Sequence, residues 1–224
     1  MAWFASRGWE CHAVDLRGHG QSPNTRPLRR TRIKHYVEDL GLAVESLDRP
    51  PIIVAHSMGG LVAQRYLEAK WLPGAVLIAP VPVGGVWRAT FRVMRRHPVK
   101  FLKANLTLNM KPLVEERTIA KDLLLADTTT DEEVDRIWPL LQAESYLAYL
   151  DMLFIVRPRP PLVSTPVAMV TGSRDRIFSV KEEQKTARAY GTDVAVVEGG
   201  AHALMLGPHK EQAGTVVAEA LETF

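Results

Sequence analysis

Residues 52–61 read Ile52-Ile53-Val54-Ala55-His56-Ser57-Met58-Gly59-Gly60-Leu61. The first four residues form a short apolar run rich in β-branched side chains, which is typical of a buried strand. Helical periodicity follows as far as Trp71, so a strand, a sharp turn and a helix succeed one another. In that context Ser57 occupies the position of the serine in a nucleophile elbow, a tight turn that lifts the hydroxyl clear of the sheet.

Two small residues flank this serine, Ala55 and Gly59, and we expect them to let the strand and the helix pack closely at the elbow. The usual pattern has glycine two residues before the serine. Alanine stands there in this chain, which makes the motif slightly less specific. A plainer interpretation is that Ser57 only caps the following helix. The pentapeptide alone leaves both interpretations open.

Further apolar runs at 75–79, 166–170 and 193–197 also read as strands, and helical patterns lie between them. Continuously apolar strands that alternate with helices predict an α/β fold, with a mostly parallel sheet covered by helices on both faces. A weaker alternation at 9–16 predicts one more strand. We predict a single domain over residues 1–224, with a helical cap inserted at about 84–160 above the carboxyl edge of the sheet.

The composition, 46% hydrophobic and 24% charged among 224 residues, is that of a soluble globular domain with a sizeable core. Neither a signal peptide nor a membrane-spanning helix is predicted. Cys11 is the only cysteine, so we expect a reduced, cytoplasmic protein without disulfides. Basic residues form two runs, Arg26 to Lys34 and Arg88 to Lys111, but the net charge of +3 does not predict a nucleic-acid partner.

Two later motifs supply a carboxylate and an imidazole. Asp175 ends Thr171-Gly172-Ser173-Arg174-Asp175, and His202 ends Gly199-Gly200-Ala201-His202, each just beyond a predicted strand. Loops at the carboxyl edge of adjacent parallel strands converge, so Ser57, Asp175 and His202 can meet in one site. Their order along the chain is one that a Ser-His-Asp triad uses. Taken singly, Asp175 reads as a turn residue and His202 as a loop histidine.

No His, Cys, Asp or Glu pattern has metal-ligand spacing, and no glycine-rich phosphate loop carries its lysine. We therefore predict neither a metal nor another cofactor.

Four stretches together resemble a known family: the elbow at 55–60, Asp15-Leu16-Arg17-Gly18-His19-Gly20-Gln21-Ser22, residues 172–177 and residues 199–205. They look like an α/β-hydrolase of the lysophospholipase and monoacylglycerol-lipase-like type, and the resemblance covers about two thirds of the chain. It implies a serine esterase or lipase without a cofactor, in which Ser57, His202 and Asp175 are catalytic. The backbone N–H of Met58 would serve the oxyanion hole, and the cap would select a small-molecule ester or a lipid-like substrate.

The chain departs from this family at its beginning, where strands that the family usually has are missing. One of them would lie between the strand at 9–16 and the strand of Ile53, and its loop would supply the second oxyanion N–H. We expect either that the gene start lies upstream of Met1, or that the strand at 9–16 pairs directly with that of Ile53, or that a second copy contributes a strand. The first is favoured because unpaired central backbone is costly.

In the cap, Trp87, Phe91 and Met94 recur at helical spacing within the second basic run, which makes them candidates for substrate binding. The plain interpretation is an amphipathic helix packed over the core. The functional one is an acyl channel whose basic rim makes weak contact with a membrane surface. A homodimer also stays open. Carbon–carbon bond hydrolysis, acyl transfer and a non-catalytic binding protein remain alternatives to ester hydrolysis.

Overall fold

A computed structural model describes residues 1–23 and 27–224; Arg26 of the first basic run lies outside the described residues. Four parallel strands form one sheet in the order in which they occur along the chain. They are β1 (Ile53–His56), β2 (Ala75–Ile78), β3 (Val167–Gly172) and β4 (Val194–Val197). Ala75 is paired with Ile53 on one side and with Val167 on the other, and Met169 is paired with Val194. The predicted parallel sheet is confirmed.

Ten α-helices accompany these strands in the described part of the chain. They are α1 (Ala2–Ala5), α2 (Ile33–Glu45), α3 (Ser57–Leu67), α4 (Trp87–Arg96), α5 (Pro98–Leu106), α6 (Arg117–Leu124), α7 (Asp131–Ile137), α8 (Tyr146–Leu150), α9 (Val180–Ala189) and α10 (Lys210–Leu221). Helix α8 continues into a π-helix, Asp151–Ile155. The predicted helices after Thr31, after Ser57 and at the end of the sequence are α2, α3 and α10.

Helices cover both faces of the sheet because its strands are mainly apolar. β2 is buried throughout, and the outer strands β1 and β4 are partly exposed. On one face, Leu77 and Met169 pack with Ala63 of α3 and Ala187 of α9. On the other face the side chains of β2, β3 and β4 pack with α10; this cluster contains Val76, Ile78, Val170, Val197, Ala213, Val217 and Leu221. Burial of these side chains, at roughly 1.5–3 kcal/mol each for the larger ones, is the main force that joins helices to sheet.

Helices α4 to α8 form an insertion between β2 and β3, which we call the cap. It is joined to α2 through the buried carboxylate of Asp151, which accepts hydrogen bonds from the backbone N–H of Ile33 (3.0 Å) and from the guanidinium of Arg32. The hydroxyl of Ser145 donates to the carbonyl of Thr31 at 2.6 Å. The cap is thus fastened to the N-terminus of a core helix. Its boundaries at 84 and 160 stay a prediction.

The prediction of a strand at 9–16 is wrong, because these residues form no strand. The alternation holds only from Trp9 to Ala13 and is broken at Val14 and Asp15. The two ends of the segment pack into different apolar clusters, Trp9 with α10 and Leu16 with α2 and the cap. The hypothesis that this segment pairs directly with β1 is also wrong, since β2 is the only partner of β1 among the described residues. The hypotheses of an upstream gene start and of a strand from a second copy stay predictions.

No helix in the described ranges combines the length and the apolar content that crossing a bilayer requires.

Candidate active site

Ser57 stands at the junction of β1 and α3, as the first residue of the helix. Its φ is +53°, a left-handed conformation that costs a non-glycine residue roughly 1–2 kcal/mol. This turn projects the hydroxyl beyond the carboxyl edge of the sheet. Because the first N–H groups of a helix have no intrahelical acceptor, the N–H of Met58, the second residue of α3, is available to a ligand.

The close packing that we predicted at Gly59 falls instead on Gly60. A Cβ added to Gly59 would have no atom within 4 Å, whereas a Cβ on Gly60 would lie 2.6 Å from the Cβ of Pro80. Helix α3 therefore crosses the loop after β2 at a distance that only glycine allows. Gly59 lines the cavity described below, and Ala55 is partly buried against the core.

Ser57, His202 and Asp175 are joined in one hydrogen-bonded relay. Nδ1 of His202 lies 2.8 Å from Oδ2 of Asp175, and Nε2 lies 2.8 Å from Oγ of Ser57. An ionised carboxylate only accepts, so His202 carries its proton on Nδ1, and Nε2 accepts from the serine hydroxyl. The side chains of His202 and Asp175 are 4% and 0% exposed, which shields their pairing from water. The relay can activate the hydroxyl as a nucleophile.

The loop after β3 fixes the direction of the Asp175 carboxylate. Its other oxygen, Oδ1, accepts the backbone N–H groups of Ile177 (2.7 Å) and Phe178 (2.9 Å). The ring of Phe178 packs edge-on against the imidazole of His202, with centroids 5.4 Å apart. We call residues 173–179, which follow β3 and include Asp175, the acid loop, and residues 198–209, which follow β4 and include His202, the base loop. A Cβ on Gly172 would lie 2.2 Å from the carbonyl oxygen of Gly200, so the two loops approach each other backbone to backbone at this point.

A second histidine, His56, belongs to this site, although no role was predicted for it from the sequence. Its Nε2 lies 2.9 Å from the carbonyl oxygen of His202, and since a carbonyl only accepts, Nε2 carries the proton. Burial, with His202 nearby, lowers the pKa of His56 to about 3. The ring is therefore neutral at ordinary pH and ties the elbow to the base loop. Its position directly before Ser57 was the one signal in the sequence.

A cavity of about 460 Å³ opens at Ser57 and His202 beneath the cap. Its wall is mainly apolar, and side chains from the cap and from the loops after β2 and β3 form it; they include Val81, Val86, Ala89, Val93, Phe101, Met110, Leu113, Leu123, Met152 and Phe178. The volume lies within the range of small-molecule sites in proteins. The cavity can hold an apolar group next to the serine hydroxyl.

Trp87, Phe91 and Met94 do not line this cavity, so they do not form the acyl channel that was one of the two interpretations of their spacing. They lie on the outer side of α4 and are 54%, 49% and 37% exposed. The opposite side of the helix, with Ala89 and Val93, faces inward. Helical spacing groups residues into a stripe but does not say which of two apolar stripes meets the core.

The cavity also has a polar side, which the sequence did not indicate. Glu144 in its wall accepts a hydrogen bond from the hydroxyl of Tyr36 (2.9 Å) and lies 3.4 Å from Nε2 of His19. The hydrogen bond between the His19 ring and the Glu144 carboxylate raises the pKa of His19. Gln142, also in the wall, accepts from the N–H of Gly20 at 3.1 Å. The Gly18-His19-Gly20 turn of the sequence motif thus supports the cap rather than the serine.

In the part of the chain that the structure describes, no three His, Cys, Asp or Glu side chains come together in a way that could hold a metal ion.

The fold agrees with the comparisons with known proteins. The model of the alpha/beta hydrolase family matches residues 1–220. The chain belongs to this family, whose members nearby in sequence and structure include esterases, lipases and chloroperoxidases.

Two curated relatives match shorter stretches. Protein ABHD14A of Danio rerio is 31% identical over 93 residues, which are 38% of this chain and 32% of that protein. A non-heme chloroperoxidase of Streptomyces lividans is 37% identical over 87 residues, or 37% of this chain and 30% of that protein. The alignments therefore span about a third of the length of these relatives.

Among solved structures, the monoacylglycerol lipase of Paleococcus ferrophilus superposes with a TM-score of 0.66. The match covers 91% of this chain and 79% of the lipase, at 20% identity. Because the identity is only 20%, this similarity indicates a shared fold and nothing more specific.

Proposed function

We propose that this protein is a serine hydrolase of carboxylic esters. The observation that carries the proposal is the relay Asp175–His202–Ser57, with both hydrogen bonds at 2.8 Å, at the mouth of a largely apolar cavity. Cavity and relay together provide a nucleophile, a base and room for an acyl group. The esterases and lipases among the structural neighbours agree with this choice.

In the first half of the reaction, Oγ of Ser57 attacks the ester carbonyl while its proton passes to Nε2 of His202. Asp175 stays ionised and stabilises the imidazolium through Nδ1. The N–H of Met58 donates to the oxygen that becomes negative. When the tetrahedral intermediate collapses, the C–O bond to the alcohol breaks and His202 returns its proton to the departing alkoxide.

The second half repeats these steps with water in place of Ser57. Water attacks the acyl-enzyme, gives one proton to His202, and the Ser57 Oγ–acyl bond breaks as His202 protonates Oγ. A carboxylic acid leaves and the resting relay is restored. The same relay would serve acyl transfer if an alcohol replaced the water, so product analysis in the presence of added alcohol distinguishes the two reactions.

The nucleophile is tested with a fluorophosphonate probe, which phosphonylates activated serines. We expect one label, at Ser57 by peptide mapping, and none in Ser57→Ala. A folded protein that takes no label, or one labelled elsewhere, would contradict the mechanism and favour a non-catalytic binding protein.

The acid is tested with Asp175→Asn, which removes the carboxylate that holds the Nδ1 proton. Ester turnover should fall by several orders of magnitude, up to about 10⁴-fold, because the wrong tautomer of His202 becomes favoured. Asp193→Asn, an exposed aspartate before β4, is the matched control and should keep full activity. Equal activity of the two variants would remove Asp175 from the relay.

The substrate class follows from the cavity wall, which favours acyl chains of medium length. Rates on p-nitrophenyl esters from acetate to dodecanoate should peak between these ends. Ala89→Leu narrows the cavity and should shift the peak to shorter chains without changing the rate on acetate. A wild-type optimum at acetate would contradict the acyl-chain proposal and leave a hydrolase of small esters.

The outer side of the cap supports weak contact with an anionic membrane surface. Besides the stripe on α4, Val99, Leu102 and Leu106 of α5 are 74%, 58% and 76% exposed. Arg88 and Arg95 lie over the rings of Trp87 and Phe91, at 5.1 Å and 5.8 Å from the centroids. Exposed apolar side chains with cations beside them suit an interface that carries negative lipids.

Sedimentation with phosphatidylserine vesicles should capture the wild type more than sedimentation with neutral phosphatidylcholine vesicles does. Trp87→Ser/Phe91→Ser should lose this capture. Leu140→Ser, which changes a cap leucine that is 78% exposed, is the control and should retain it. Equal sedimentation with both kinds of vesicle, or without vesicles, would contradict the contact.

A further inference from the structure

One stretch of the cap, residues 122–127 at the end of α6, touches both loops of the relay. On the acid side its partner is Arg176, the residue directly after Asp175. Nη1 of Arg176 donates to the carbonyl oxygen of Asp122 (3.1 Å) and to its Oδ1 (2.9 Å). Nη2 donates to both carboxylate oxygens of Asp127, at 2.7 and 2.8 Å. The acid loop is thus held by four hydrogen bonds from one side chain.

On the base side the partner is Ala203, the residue directly after His202. Its backbone N–H donates to the carbonyl of Leu124 at 2.9 Å. Ala203 is also buried together with Leu125 and Val134 of the cap. The acid loop and the base loop therefore end on the same short piece of chain.

Next to the ends of β3 and β4, backbone hydrogen bonds join the two loops to each other. The N–H of Ser173 donates to the carbonyl of Val197 (3.0 Å), and that of Arg174 to the carbonyl of Gly200 (2.8 Å). Beyond Arg174 no such backbone bond between the two loops occurs among the described residues, and Asp175 and His202 lie in that outer part. The cap supplies the contacts next to the reacting side chains.

Asp122 is the centre of this arrangement. Besides Arg176, the Arg96 guanidinium donates to it at 2.5 and 2.9 Å, and Nε2 of His97 lies 2.8 Å from Oδ2. These donors lower the pKa of Asp122 to about 2, and the hydrogen bonds from Arg96 contribute most. The carboxylate is therefore charged at neutral pH. Its side chain is 23% exposed. One carboxylate thus joins α4, α6 and the acid loop.

We propose that Asp122 is a positioning residue of the hydrolase, which acts through Arg176 to hold Asp175 in line with His202. This inference rests on the proposed function. Its physical basis is that small displacements of reacting groups are costly: about 1 Å of misplacement can cost on the order of 10²-fold in rate. The cap then has a second task besides shaping the cavity, because it completes the alignment of the relay.

The test compares Asp122→Asn with Asp131→Asn. Both change a cap aspartate that pairs with arginine, but Asp131 is exposed. Its partners are Arg117 and Lys121, and neither belongs to the loops that carry Asp175 and His202. Two quantities are measured: the rate of fluorophosphonate labelling at Ser57, and kcat and KM on a p-nitrophenyl ester. Asp122→Asn should lower the labelling rate and kcat by about tenfold and change KM by less than about twofold. Asp131→Asn should change neither.

Arg176 provides a second route that leaves the contacts of Asp122 with α4 intact. Arg176→Met should reproduce the loss of kcat, and Arg176→Lys should recover part of it, because lysine keeps a cation at that place. A purely structural role would show as a lower melting temperature in step with the loss of labelling in both Asp122→Asn and Arg176→Met, and would overturn the positioning role. Wild-type labelling rates in both variants, or a change in KM alone, would overturn it as well.

Failure of the proposed function looks different. In that case the wild type itself takes no label at Ser57, and the inference about Asp122 falls with it. A wild type that is labelled, with variants that are labelled equally fast, refutes only the role of Asp122.

Discussion

The site contains a serine in a left-handed conformation and a neutral histidine. Near Asp175 lies a buried carboxyl group that has no hydrogen-bond partner among the described residues. Ser57 has a φ of +53°, His56 is held to the base loop, and Glu183 of α9 is fully buried. The left-handed serine and the unpaired carboxyl group are each unfavourable for stability taken alone. Such local costs are common where a protein holds reactive groups in fixed positions, and they indicate where substitutions can raise stability.

We expect the buried carboxyl group of Glu183 to make the stability of the protein depend on pH. Neither carboxylate oxygen has a partner among the described residues, and burial, with Asp175 and Glu182 nearby, raises its pKa well above the usual value. The folded state keeps the proton while the unfolded state loses it above about pH 4.5, so this group takes away stability as the pH rises from there towards the folded pKa. Glu183→Gln should remove that loss.

Urea unfolding at pH 5 and pH 8 measures the effect. The advantage of Glu183→Gln over the wild type should grow by about 1 kcal/mol or more between the two pH values, since one pKa unit corresponds to about 1.4 kcal/mol. Glu219→Gln, on the exposed side of α10, is the control for the change from glutamate to glutamine and should not reproduce this gain. A pH-independent gain in Glu183→Gln would show that Glu183 titrates alike in both states.

At the scale of elements, the crossing of α3 over the loop after β2 depends on Gly60. Gly60→Ala would place a Cβ 2.6 Å from that of Pro80, so the helix or the loop must shift. We expect the free energy of unfolding to fall by about 1–3 kcal/mol, the usual cost of overpacking. The pairing of Ser57 with His202 should loosen as well, because Ser57 begins the same helix.

Gly59→Ala is the matched control, since its added methyl group meets no atom within 4 Å. Thermal unfolding should find it as stable as the wild type or up to about 1 kcal/mol more stable, because alanine favours a helix over glycine. Equal destabilisation by the two substitutions would contradict the close approach at Gly60.

The sequence predicted these elements where local pattern and tertiary packing agree. The buried strands are continuously apolar, and Ser57, Asp175 and His202 each follow one, so topology alone brings them to one edge. Prediction from the sequence failed for features that depend on which other part of the chain a segment contacts. Residues 9–16 alternate but pair with no strand, and an amphipathic stripe on α4 does not say which side the core will cover. The role of His56 could not be predicted, because its position before Ser57 does not reveal that its partner is a backbone carbonyl of another loop.

For the whole molecule, the junction of cap and core depends on Asp151. It is 2% exposed and holds both the Arg32 guanidinium and the N–H of Ile33. Asp151→Asn leaves the cation without its counter-charge and should lower the free energy of unfolding by about 1–3 kcal/mol. This is less than the roughly 3–5 kcal/mol typical of broken buried pairs, because Arg32 is partly exposed.

Amide hydrogen exchange locates this loss. Exchange should accelerate in α8 and in the first turn of α2 together, since the same carboxylate serves both. Asp135→Asn, in an exposed cap pair with Arg117, should leave both regions unchanged. Faster exchange in α8 alone would contradict the coupling between cap and core.

The insertion of the cap between β2 and β3 also determines when the protein becomes active. Ile78 and Val170 are register partners, yet the whole cap is synthesised between them. Pairings so distant in sequence form late, because the entropy of closing a long loop must be overcome first. Ser57 emerges from the ribosome early, whereas His202 lies beyond β4. On the mechanism proposed above, a nascent or partly folded chain therefore carries Ser57 in an inert form, and hydrolysis would begin only when the sheet is complete.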